Sequence, residues 1–183
     1  MKKHIRENIL KKAYQMGFDF ERRHHGCAQC VIAAVYQLFP EMTNEDIFRS
    51  SNAQGGGLGL TSRGQCDAIT GAAMIMSQLY GRSLGAIEDS DGKRFTAYRL
   101  GAELAKRFES EMGSLICSEI QKKLMGRNFN LLDAEDWKEF EKLGGHETKC
   151  PHVVGTATQI LVEMLLEQKN ERALTLVKYC TKN

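Results

Sequence analysis

The apolar residues of this chain recur at three- and four-residue steps along most of its length, and that spacing suits helices and no other regular structure. Ile5, Ile9, Ala13, Met16 and Phe20 mark a first helix, and Cys27, Val31, Ala34, Val35 and Leu38 a second, closed by Pro40. Cys66, Ile69, Ala73, Met76 and Tyr80 share one face of a later helix. Phe95, Tyr98, Ala102, Ala105, Phe108 and Met112 form the stripe of a long one. Val153/Val154, Ala157, Ile160/Leu161 and Met164/Leu165 give the cleanest pattern. Shorter helices are expected after Thr43, which can cap one with Asp46 three residues on, from Ser114, around Asp133–Leu143 and around Glu171–Tyr179. No alternating run argues for a strand. With two prolines in 183 residues, the chain reads as one all-α domain over residues 1–183, a bundle of about seven to nine helices.

Charge and hydropathy exclude several functions. Twenty-five basic against twenty-three acidic residues leave a formal charge of +2, too little for an electrostatic grip on nucleic acid. The longest apolar run, Cys30 to Tyr36, falls well short of the roughly 20 residues of a membrane span. The basic opening MKKHIRENILKK has no apolar stretch behind it, as a signal peptide would, and no targeting tail is visible. The expected address is cytoplasmic, where disulfides seldom persist. Six cysteines there read as metal ligands or redox thiols, or, for some, as small buried hydrophobes.

Four of them fall at predicted helix starts. Cys27 follows Gly26, Cys66 follows Gly64, Cys117 lies three residues after the expected cap Ser114, and Cys150 caps a helix whose first residue is Pro151. Unpaired N–H groups and the positive end of the helix dipole favour thiolate over thiol. Four such ends meeting at one place would enclose an anionic centre such as an iron–sulfur cluster. Cys27-Ala-Gln-Cys30 also has the spacing of a dithiol couple, although no strand precedes it; Cys30 packing against Ala34 is an equal reading. Zinc is a further alternative, with His24, His25, His146 or His152 as substitute ligands, but only one close ligand pair exists. The loop Gly55–Gly64 fails as a dinucleotide fingerprint, because position 62 is Ser, and as a P-loop, because Gln65 and Cys66 follow. Close backbone approach to whatever Cys66 holds, or a plain surface loop, remain. Glu109, Glu111, Asp133, Glu135 and Asp136 read as solvated faces, and Trp137 and Phe140 as anchors of a short helix.

In this order the motifs resemble the redox-active protein family named for the pattern C_GCAxxG_C_C. Gly26-Cys27-Ala28-Gln29 resembles its first cysteine, the glycine loop leading to Cys66-Asp67-Ala68-Ile69-Thr70-Gly71 its central motif, Ser114-Leu115-Ile116-Cys117 its third cysteine and Cys150-Pro151 its fourth. The resemblance covers about residues 10–168. It implies a helical redox protein, with a similar domain in split-Soret cytochromes where cysteines hold a [2Fe–2S] cluster. By that analogy Cys27, Cys66, Cys117 and Cys150 are the ligand set, for one-electron transfer with an unidentified redox partner protein. Asp67 stands where the family usually has Gly. Cys30 is an additional thiol, able to ligate in place of Cys27 or to pair with it. Cys180 receives no role, and helix faces rich in Leu and Met would suit a homodimer. No residue set points to a particular enzymatic reaction.

Overall fold

The computed structural model describes residues 3–168. The expected helix around Glu171–Tyr179, and Cys180, lie outside them. The described residues form an all-α fold of eight helices: α1 Lys3–His24, α2 Cys27–Leu38, α3 Glu45–Ser50, α4 Asp67–Tyr80, α5 Lys93–Met112, α6 Cys117–Met125, α7 Ala134–Lys142 and α8 Cys150–Glu167. None of them is long and apolar enough to cross a membrane.

α8 is the hub. It packs against α1, α2, α4 and α5, and most of its side chains are buried, from Val153 to Leu165. Two glycines let α1 and α8 cross closely. A Cβ on Gly155 would lie 2.8 Å from the Tyr14 carbonyl oxygen, and one on Gly17 would lie 2.9 Å from that of Val154. α2 and α4 touch backbone to backbone in the same way, through Gly71 and Ala28. The buried line of α1 runs Ile9, Ala13, Gly17, Glu21, so the helix carries a carboxylate into the interior.

Four local expectations are corrected. α3 is capped by Asn44, whose Oδ1 accepts from Ile47 N at 3.1 Å, and not by Thr43. α6 starts at Cys117 itself, with Ile116 at the cap; Ser114 instead accepts from Ile116 N at 3.0 Å and bonds Glu119. The buried face of α5 is Leu100, Leu104, Phe108 and Met112, leaving Phe95 and Tyr98 exposed, because the contact line climbs in four-residue steps that their position does not meet. Cys150 is the first residue of α8 rather than its cap. A wide π-helical turn over Gly145–Lys149 leads into it, and Lys149 already has helical dihedrals.

Candidate functional site

Three local devices deliver the four helix-start cysteines. Cys27 opens α2 after two residues in the left-handed region, His25 (φ 58°) and Gly26 (φ 87°), which reverse the chain out of α1. Cys66 sits at the cap of α4, and Cys117 at the first position of α6. The segments before these two run antiparallel: Cys66 N donates to Leu115 O at 2.7 Å, Cys117 N to Gly64 O at 3.0 Å and Ser118 N to Ser62 O at 3.0 Å. That pairing brings two sulfurs 51 positions apart in sequence to one place. Gly57 backs the third cysteine, since a Cβ there would lie 2.8 Å from Cys117 Cβ. Cys150 arrives from the π turn.

Cys27, Cys66, Cys117 and Cys150 all line one cavity of about 100 Å³, several times the space one water needs. The Cys27 and Cys150 thiols are neighbours. The remaining wall is mostly apolar, with Ile120, Leu124 and Phe140 among its residues. His25, His146 and Trp137 also face it; the two imidazoles stack edge-on with centroids 4.1 Å apart, and His146 Nδ1 bonds Glu141. His24 and His152 do not line the cavity: His24 stacks on Phe20, and His152 bonds the Tyr14 hydroxyl at 2.9 Å. Trp137, read from sequence as a helix anchor, is therefore part of the wall. Cys30 is buried but does not line the cavity. Its thiol donates to the His25 carbonyl at 3.2 Å.

Two carboxylates beside the sulfurs were not singled out as functional by sequence reasoning. Glu21, 1% exposed, accepts from the Cys27 thiol through Oε1 at 3.3 Å, while its Oε2 is buried without a hydrogen-bond partner. Burial raises its pKa to about 7. Asp67, also 1% exposed, accepts from Ala28 N at 3.2 Å and Gly57 N at 3.4 Å. It thereby ties the first turn of α2 to the glycine loop, so the side chain found where glycine was expected holds the loop rather than disturbing it. Burial raises its pKa as well, against the bonds from backbone N–H groups.

Cys27, Cys66 and Cys117 do not rest as thiolates. Contact with Cys150, then burial, pushes Cys27 well up; burial pushes Cys66 well up and Cys117 to about 12. Helix N-termini do favour the anion, but here desolvation and neighbouring acids outweigh them. Deprotonation would have to come with an arriving cation, as metal binding to thiols generally requires. The donor set suits an iron–sulfur cluster, which takes four cysteines. Among the described residues, however, no three His, Cys, Asp or Glu side chains are grouped closely enough to hold a metal ion. Ligation would require the four side chains to draw closer together.

Comparison with protein families matches the chain to the family described as "Putative redox-active protein (C_GCAxxG_C_C)" over residues 25–164. No curated protein and no solved structure matches the chain.

Proposed function

Because the chain belongs to the C_GCAxxG_C_C family of redox-active proteins, we propose that Cys27, Cys66, Cys117 and Cys150 hold an iron–sulfur cluster, [2Fe–2S] in preference, and that the protein transfers single electrons. The observation that carries this reading is the shared cavity: four cysteines from four helix starts, spread from residue 27 to residue 150, line one space. A [2Fe–2S] cluster bound there would supply a one-electron couple tuned by burial and by hydrogen bonds to its sulfurs. A single zinc ion would leave much of a cavity of about 100 Å³ empty, and that favours the larger group.

The chain's own residues then have distinct tasks. The four thiols give up their protons and ligate. Asp67 fixes the glycine loop against α2, so that Cys27 and Cys66 stay adjacent. Gln121 donates to Cys117 Sγ at 3.6 Å and to Ser62 Oγ at 3.1 Å, orienting the third sulfur. The apolar wall keeps water from the site.

The test is anaerobic reconstitution with iron and sulfide, followed by metal and sulfide analysis and a visible absorption spectrum. Two irons and two sulfides per chain are expected, with loss of both in Cys66→Ser. Colourless, iron-free protein after reconstitution would falsify the reading.

A further inference from the structure

Of the five described cysteines, Cys150 is the least buried, and it lines the same cavity as Cys27, their thiols close enough to influence one another. Cys30 offers Cys27 no such partner. Its sulfur points back to the His25 carbonyl and stays off the cavity wall. A bridge between Cys27 and Cys30 would also lie within one turn of α2 and tie nothing together. One between Cys27 and Cys150 would join the start of α2 to the start of α8, two helices already packed on each other.

We propose that Cys27 and Cys150 form the chain's thiol–disulfide couple, oxidised in the metal-free protein by a small-molecule disulfide that enters at Cys150. The Cys150 thiolate attacks one sulfur of the oxidant, forming a mixed disulfide and releasing one thiol. The Cys27 thiol then gives up its proton as its sulfur attacks Cys150 Sγ, forming the internal disulfide and releasing the second thiol. Each cysteine loses a proton, and the electron pair leaves on the two thiols released. The oxidised form has two of the four cavity sulfurs locked, so it accepts iron only after reduction. This inference does not rest on the cluster, because it concerns the protein without metal.

The experiment treats reduced, metal-free protein with glutathione disulfide in mildly alkaline buffer, traps remaining thiols by alkylation and maps tryptic peptides without reduction. Cys27 and Cys30 share the peptide spanning 24–49, and Cys150 lies in the one spanning 150–169. A cross-link between these two peptides is expected, retained in Cys30→Ser and absent in Cys150→Ser. An internal disulfide within 24–49, a link from that peptide to the one carrying Cys66 or Cys117, loss of the cross-link in Cys30→Ser, or a mixed disulfide that never resolves would each overturn the proposal. Because the map is read without iron, its outcome is separate from that of cluster reconstitution.

Discussion

Gly71 of α4 lies so close to Ala28 of α2 that a methyl group on it would sit 2.5 Å from the Ala28 carbonyl oxygen. This backbone contact sets the distance between the helix starts that carry Cys27 and Cys66. Gly71→Ala gains up to about 1 kcal/mol of helix propensity, but forcing a methyl against backbone costs about 1–3 kcal/mol. The net effect expected in urea denaturation is destabilisation, together with a fall in iron bound after reconstitution. Gly101→Ala in α5 is the control. No atom lies within 4 Å of its added Cβ, so the same change should stabilise by about 0.5–1 kcal/mol.

Gly57 and Gly59 share a left-handed backbone, at φ +67° and +58°, but differ in their surroundings. An alanine at either carries the left-handed penalty of about 1–2 kcal/mol. Only at 57 does it also strike Cys117 Cβ. Gly57→Ala should therefore lose most of its iron and sulfide on reconstitution, while Gly59→Ala should lose stability in denaturation and keep its metal content.

The metal-free protein should lose stability as pH rises. Glu21 has a folded pKa of about 7 against 4.5 for the free side chain, raised mainly by burial. Its folded form binds the proton more tightly, so the stabilisation is complete below pH 4.5 and is lost as pH climbs through 7. At 1.36 kcal/mol per pKa unit the loss is on the order of 3 kcal/mol. Asp67, whose pKa burial also raises, acts in the same direction. Thermal melts of reduced, metal-free protein between pH 5 and 8 should show a falling midpoint, and Glu21→Gln should flatten that slope.

Cys30→Ser should bind as much iron as the unsubstituted chain. The serine hydroxyl can replace the bond that Cys30 Sγ gives to the His25 carbonyl, and the sulfur lost does not face the cavity. Metal analysis on paired reconstitutions reads this directly.

The long helices were legible because α2, α4 and α8 keep apolar residues on a steady period, and the helix-start positions of the cysteines followed from the glycines and proline beside them. Glu21 was missed because the pattern was traced through apolar residues alone. Ile9, Ala13 and Gly17 climb in four-residue steps, and the next position on that line is Glu21; a carboxylate there was a signal for a buried, chemically committed group. Nothing in the apolar pattern marked the form of the turn before α8. Thr148 N and Lys149 N in fact both bond the Gly144 carbonyl, at 2.9 and 3.0 Å, a pattern of tertiary origin with no sequence period to mark it. The meeting of Cys66 and Cys117 depends on the antiparallel pairing of Ser62–Cys66 with Leu115–Ser118, a long-range contact invisible to any window along the chain.

The place of α8 governs when the protein becomes competent. It carries the fourth cavity cysteine and also covers the inner faces of α1, α2, α4 and α5. A nascent chain still short of residue 150 therefore lacks both the last sulfur and the element that shields the others from solvent. Loading of any prosthetic group by all four must wait until that helix has left the ribosome, and a truncated product would present an open, sticky half-bundle to the cell's quality control.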